Sequence, residues 1–257
     1  MDFWVYAISG FAVGAIVGVT GVGGGSLMTP LLVLVFGVAP TTAVGTDLLY
    51  AALTKSGGAW VHARRGGVNW RLVGLLSCGS IPVSLATVIA MHLLSVNTDA
   101  MGIVITHTLG AALILTAISI VFRANIRHWA DRRLGFGRAG APDHYVVITG
   151  AILGFLVTLS SVGAGAIGVT ALMLLAPALP TSRIVGSDIA HAVPLTLVAG
   201  LGHATTGAVD VTLLFSLLVG SLPGIWLGSH ISHRLPDRAL RALLAILLVL
   251  IGSKLAM

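Results

Sequence analysis

The sequence predicts an all-α polytopic membrane protein with two inverted structural repeats. Each repeat holds a glycine-broken, re-entrant or discontinuous helix plus three transmembrane helices. Three observations lead there: a composition too apolar to face water, long apolar stretches of which two are interrupted by small residues, and an internal duplication whose equivalent loops carry opposite charge bias.

Of 257 residues, 56% are apolar and 9% charged, with a mean hydropathy of +1.03. Soluble domains carry about 25% Asp, Glu, Lys and Arg. Here there are 14 Lys and Arg against 8 acidic residues, all of them Asp. So few polar side chains cannot cover a water-facing globule. An ordinary soluble enzyme, a disordered chain and a disulfide scaffold are thereby excluded. The single Cys78 has no partner and says nothing about redox compartment. A pI near 10.5 raises nucleic acid as a partner, but the Arg residues sit between apolar stretches and form no basic domain. Cytoplasmic loops explain them better, and no nucleic-acid partner is expected. Met1 to Phe11 lack a basic start and a small-residue cleavage site, so no cleaved signal peptide is expected.

Apolar stretches run over about 3–36, 41–62, 72–94, 101–122, 145–176, 181–203, 211–229 and 239–256. A spanning helix needs about 20 residues, and most of the stretches fit one crossing. The stretches 3–36 and 145–176 are longer, and small residues interrupt each: Thr20-Gly21-Val22-Gly23-Gly24-Gly25-Ser26 and Ser160-Ser161-Val162-Gly163-Ala164-Gly165. Consecutive glycines make poor helix interior, so both are expected breaks.

The two long stretches align. Gly10, Gly14, Gly23, Gly25 and Pro40 match Gly150, Gly154, Gly163, Gly165 and Pro180 at an offset of 140. At an offset of 141, Gly45, Asp47, His62, Gly66, Val68, Gly79, Ser80, Pro82 and His92 match Gly186, Asp188, His203, Gly207, Val209, Gly220, Ser221, Pro223 and His233. Glycine matches arise by chance in so biased a chain; Asp, His and Pro on one register do not. The expected organisation is an N-terminal repeat over 1–122, a basic linker over 123–143 and a C-terminal repeat over 144–257.

Charge chooses the orientation. If every long stretch crosses once, the halves are parallel, and Arg183, Arg234, Arg238 and Arg241 lie opposite the other Arg residues. If 3–36 and 145–176 each bend and return, the halves are inverted. Arg64, Arg65, Arg71, Arg123, Arg127, Arg132, Arg133, Arg138, Arg183, Arg234, Arg238 and Arg241 then all face the cytoplasm. Only Lys254 is outside, with Lys55 within the membrane. The positive-inside rule favours inversion. Loop 64–71 is basic where its repeat mate 205–212 is not, and 236–241 is basic where 95–100 is not. The basic loops 64–71, 123–143 and 234–241 are expected on the cytoplasmic face of a bacterial inner membrane.

Non-helical backbone at membrane depth survives only where protein buries it or water reaches it. Facing broken helices point to a transporter site near the midplane. Each new helix start offers free N–H groups and a positive dipole end, which favour an anion. Thr20, Ser26, Ser160 and Ser161 add hydroxyls, and Gly21, Gly23, Gly24, Gly25, Gly163 and Gly165 let backbone approach closely. The same glycines also suit tight helix packing, and no Gly-Lys-Ser/Thr or preceding strand supports a nucleotide loop. Lys55 lies mid-span, with Thr196 at the equivalent place, and is the leading candidate to meet a substrate anion; snorkelling or ion pairing is the bland alternative. Asp47 and Asp188 are equivalent, and His191 follows Asp188 on one helical face. These three are candidates for proton coupling, with helix capping the alternative for the carboxylates. Ser187, beside Asp188, joins the substrate-binding set. His62 and His203 read as interfacial, His107 as a packing residue. No metal ligand pattern or hydrolase elbow is present, and no cofactor is expected.

The motifs Gly14-x-x-x-Gly18-x-x-Gly21-Val22-Gly23-Gly24-Gly25, Pro30, Ala43-Val44-Gly45-Thr46 and Gly66-x-Val68-x-Trp70 resemble the TauE/SafE family of sulfite exporters, over about residues 5–95 and 145–255. The resemblance implies a proton-coupled bacterial inner-membrane transporter of sulfite or of organosulfonates such as sulfoacetate. It places Gly21 to Ser26 and Thr46 at the permeation site. The second break is less glycine-rich than the family pattern. Asp47, Lys55, Asp188 and His191 are polar where many members are apolar.

The reading is a secondary active transporter of a small sulfur oxyanion, exposing its substrate alternately as one half rocks against the other. The alternatives are a passive anion channel or a transporter of another small carboxylate or oxyanion. An intramembrane enzyme lacks a recognisable nucleophile and base. The expected partners are a small anion and the lipid bilayer; oligomeric state is left open. With Cys78 removed, single cysteines at Thr98 and Thr205 are both expected to label with an impermeant thiol reagent from outside. Labelling of Thr205 from the cytoplasm alone would restore the parallel arrangement.

Overall fold

A computed structural model describes residues 2–20, 25–94, 98–133, 140–231 and 237–256. They are all-helical, with no strand: α1 (Asp2–Thr20), α2 (Gly25–Leu34), α3 (Pro40–Arg64), α4 (Trp70–Leu94), α5 (Thr98–Arg133), α6 (Asp143–Ser160), α7 (Ala166–Leu175), α8 (Thr181–Thr205), α9 (Val211–Ile231) and α10 (Asp237–Ala256). Five of these helices contain stretches long and apolar enough to cross a membrane, in α4, α5, α6, α8 and α9. Trp4, Ile8, Leu93, Phe215 and Leu250 lie exposed on the outer surface, as suits a protein whose solvent is hydrocarbon. This is an integral membrane protein.

Both interruptions break the helix. α1 ends at Thr20 and α2 opens at Gly25; α6 ends at Ser160 and α7 opens at Ala166. Gly21, Gly23 and Gly24 lie outside the described residues. In the second break Ser161 adopts the left-handed conformation at φ 56°, and Gly163 and Gly165 stand at φ 130° and 141°, where side chains are strained. α2 and α7 have 10 residues each. At about 1.5 Å per residue such a helix reaches halfway through the hydrocarbon core. Each break also turns the chain back. Ala141 N donates to Leu175 O at 2.7 Å, so the end of α7 lies beside the start of α6. The rings of Tyr6 and Phe36 meet at 5.0 Å, which brings the end of α2 to the start of α1.

The long helices stop and start at matched places. Pro40 and Pro180 stand at the N-termini of α3 and α8, where a missing N–H costs nothing. Gly66 and Gly207, at φ 66° and 73°, end the same helices, with Gly67 and Ala208 amides donating to the His62 and His203 carbonyls. One boundary differs from expectation. The polar linker expected at 123–143 begins as helix, because no glycine or proline interrupts the chain between Phe122 and Arg133.

Packing crosses the repeat boundary. α1 lies on α9, α6 on α4, α3 on α8, and α5 on α10. A Cβ added to Gly79 would stand 1.9 Å from Val147 O, and one on its mate Gly220 would stand 1.7 Å from Ala7 O. Likewise Gly10 and Gly14 abut Leu217 and Ser221, while their mates Gly150 and Gly154 abut Leu76 and Ser80. Each contact in one set is the other set shifted by the repeat register. Small residues permit this approach where lipid gives no hydrophobic drive between helices. α3 and α8 run antiparallel: Gly45 meets His203 and Ala208, Gly200 meets Leu49, and Gly186 meets His62 and Gly67.

Gly79→Val and Gly220→Val are each expected to cost about 1–3 kcal/mol through overpacking against backbone, read as a lowered Tm of the detergent-purified protein. Gly74, with open space around it, is the control. Gly74→Ala is expected to leave Tm unchanged or raise it. Equal tolerance at all three positions would contradict the interlocked packing.

Candidate functional site

The second break lies against the middle turns of α3. Lys55 Nζ donates to Ala164 O at 2.9 Å. The carbonyls on either side are used differently, since Gly163 O and Gly165 O accept the Gly168 and Val169 amides at the start of α7. No side chain caps that start. Ser160, Ser161, Val162 and Ala164 are all buried, so the loop is sealed by protein rather than by lipid.

Two carboxylates flank this loop from symmetry-related helices. Asp47, fully buried on α3, accepts from Thr29 Oγ1 of α2. Asp188, 1% exposed on α8, presses its Oδ1 against Gly168 of α7 so closely that a Cβ there would overlap it. Each Asp thus reaches the short helix of its own repeat. Asp188 and Asp47 both act electrostatically on the half-buried Lys55, and Lys55 acts on His191. The four ionisable residues expected to share a site therefore do gather, on the facing sides of α3 and α8.

A shell of hydroxyls surrounds them. Ser80 Oγ lies 2.8 Å from His191 Nε2. At the equivalent position of the other repeat, Tyr50 replaces His191 and stands beside Ser221. Ser161 stands beside Asp47. Asp47 Oδ1, the Tyr50 hydroxyl, Ser161 Oγ, His191 Nδ1 and Ser221 Oγ are buried without a hydrogen-bond partner among the described residues. Buried polar atoms are normally paired, and each that is not costs about 1–3 kcal/mol. Asp47 with Ser161, and Tyr50 with Ser221, are neighbours within this set.

The other expected residues are placed by their own contacts. Thr46 Oγ1 accepts from Asp210 N at 3.0 Å, and its mate Ser187 accepts from Asn69 N at 2.8 Å, so each pins the turn before α9 or α4 in the opposite repeat. Ser160 Oγ is used locally, donating to Leu156 O at 2.6 Å. Ser26 is buried near the start of α2. Thr20 and Gly25 border the first break as the last residue of α1 and the first of α2. His203, expected at a watery interface, is instead 2% exposed, with Nε2 at 2.9 Å from Thr158 O; Gly45 opposite leaves it room. Sequence reasoning missed Thr29, Tyr50, Ser80 and Ser221. The signal for Ser80 and Ser221 was present, as a matched pair on the repeat register.

One end of the molecule collects basic residues. Arg71 pairs with Asp143 at 2.9 Å beside an open cleft walled by Asn69, Leu72, Leu175 and Leu179. Exposed Arg64, Arg65 and Arg183 stand at the same end, where α3 stops and α8 starts.

The sequence profile of the sulfite exporter TauE/SafE family matches residues 6–255. A probable membrane transporter protein of Bacillus subtilis, YjnA, is 40% identical over 253 residues, which are 96% of this chain and 97% of that one. A second from the same organism, YdhB, is 28% identical over 90% of this chain and 91% of its own length. A probable membrane transporter protein of Xylella fastidiosa strain 9a5c is 28% identical over 88% and 83%. No solved structure matches the chain. With the glycine breaks, the duplicated register and a profile spanning nearly every residue in agreement, the chain belongs to the sulfite exporter TauE/SafE family.

Proposed function

We propose that the protein is a secondary active transporter that moves a small sulfur-containing oxyanion, sulfite or a short organosulfonate such as sulfoacetate, across the bacterial inner membrane. The observation that carries this reading is the set of buried polar atoms without a hydrogen-bond partner beside the second break, Asp47 Oδ1 of α3, Ser161 Oγ of the break and His191 Nδ1 of α8. The uncapped start of α7 supplies amides and a positive dipole end to the same place. Family membership and the names of the relatives support transport.

Charge arithmetic favours proton coupling. Asp47 and Asp188 ionised contribute −2 and Lys55 contributes +1, leaving −1 in the cluster. An anion is repelled from that state. Protonating one carboxylate gives 0, and protonating both gives +1, so proton uptake precedes anion uptake and the two travel together. His191, held through Nε2 by Ser80, is a third place for the proton.

The halves are inverted in this reading. Equivalent helices α3 and α8 run antiparallel, each glycine break returns the chain to its starting side, and Arg183 shares an end with Arg64 and Arg65. Loops 64–71, 123–143 and 234–241 then face the cytoplasm; 134–139 and 234–236 lie outside the described residues. Alternating access proceeds by rocking of one half against the other, and glycine contacts hold α1 on α9, α6 on α4 and α3 on α8.

Proteoliposomes loaded with buffer and given an inward proton gradient are expected to accumulate labelled sulfite or sulfoacetate above the external concentration, and sulfate less. Equilibration without accumulation identifies a channel. Asp47→Asn fixes one carboxylate neutral. It is expected to retain anion exchange and lose accumulation driven by the gradient, over a pH range where the solute's own charge is constant. Lys55→Ala is expected to lose at least about tenfold in flux, the scale of removing one charge-assisted contact of about 1.5–3 kcal/mol. Unchanged flux in either variant removes that residue from the mechanism.

A further inference from the structure

His191 uses its ring differently from other helix histidines. His107 and His230 direct Nδ1 to the carbonyl four residues back in their own helices, Ile103 O and Trp226 O, each at 2.8 Å. His191 does not. Its Nε2 reaches across to Ser80 Oγ of α4 at 2.8 Å, and Nδ1 is left buried without a partner among the described residues.

Hydrogen-bond accounting fixes which nitrogen carries the proton. Ser80 and His191 are both fully buried. Other buried hydroxyls of these two helices donate to the carbonyl four residues back, as Thr87, Ser187 and Thr196 do to Val83, Arg183 and Ala192. Ser80 makes no such bond; among the described residues its hydroxyl reaches one acceptor, His191 Nε2. A buried hydroxyl that donates to nothing costs about 1–3 kcal/mol, so the O–H goes to Nε2. Nε2 accepts, and the proton of the neutral ring sits on Nδ1. The Ser80 backbone in turn abuts Gly154 of α6, which fixes the place from which the hydroxyl reaches.

We propose that Ser80 is a positioning residue: its hydroxyl holds Nε2 of His191, fixes the Nδ1–H tautomer and presents that N–H as a hydrogen-bond donor to an oxygen of the solute anion. A proton taken up by the ring would land on Nε2 and turn the Ser80 hydroxyl round to accept, so Nδ1 donates in both forms. The other repeat keeps the hydroxyl and lacks the imidazole, with Ser221 as the mate of Ser80 and Tyr50 as the mate of His191. This N–H therefore belongs to one repeat only. The inference rests on the transport reading for the solute, and on hydrogen bonding alone for the tautomer.

The test reads the tautomer directly. Full-length protein labelled with 15N-histidine is placed in liposomes and examined by magic-angle-spinning NMR, with the His191 signals assigned by their loss in His191→Gln. A neutral ring protonated at Nδ1 is expected, and one protonated at Nε2 overturns the proposal. Ser80→Ala removes the donor to Nε2 and is expected to move the proton wholly or partly to that nitrogen; an unchanged tautomer overturns the role of Ser80. Ser80→Thr keeps the hydroxyl and is expected to restore the wild-type signals. Thr87→Ala, on the same helix, is expected to leave them alone. If Ser80→Ala does not fold, the wild-type spectrum still decides. In flux measurements Ser80→Ala is expected to raise KM for sulfite or sulfoacetate about three- to tenfold, with a smaller effect on maximal flux. An unchanged KM overturns the donor role. Absence of wild-type flux with the Nδ1–H tautomer in place overturns the transport reading and leaves the role of Ser80 standing.

Discussion

Peptide groups that leave the helix inside hydrocarbon must find partners in the protein, since no water is there to receive them. Residues 160–165 meet that demand in several ways at once. Two carbonyls bond into the first turn of α7, a third takes the Lys55 ammonium, and Ser160 bridges the end of α6. Lys55 in turn needs anionic company to be tolerated at that depth, and two aspartates provide it. The charged cluster is thus a consequence of breaking the helix, as well as the means of using the break.

The duplication gives this arrangement its frame. Several contacts between repeats recur on the shifted register, so the architecture is secured twice over. Thr46 with Asp210 and Ser187 with Asn69 are one such pair; Gly45 with His203 and Gly186 with His62 are another. Backbone-to-backbone approach at the glycines leaves little freedom for α1 to slide on α9, or α6 on α4.

Symmetry fails where α3 meets α8. Lys55 faces Thr196 across the register, and His191 corresponds to Tyr50, while the serines beside the latter two are the same on both sides. The frame is therefore shared and the chemistry is one-sided. Packing tolerates such divergence because these positions carry polar tips in a region where other polar atoms remain unpaired.

Much of this was legible in the chain of residues. Glycine content at 20–26 and 160–165 marked both breaks, because backbone preference is local. Matched Asp, His and Pro exposed the duplication, and the cost of charge in lipid marked Asp47, Lys55, Asp188 and His191. Other features were not legible. Nothing in the composition of α1 or α4 says which helix each lies against, since hydrocarbon is as apolar as a protein interior and no polar stripe distinguishes the faces. For the same reason the turn amides that Thr46 and Ser187 receive were not legible, and Thr29, Tyr50 and Ser221 went unnoticed. Sequence determined where the backbone must bend and which charges must be sheltered; only tertiary structure decided which partners shelter them, because those partners, Ala164 for Lys55, Ser80 for His191 and Thr29 for Asp47, sit on other segments of the chain.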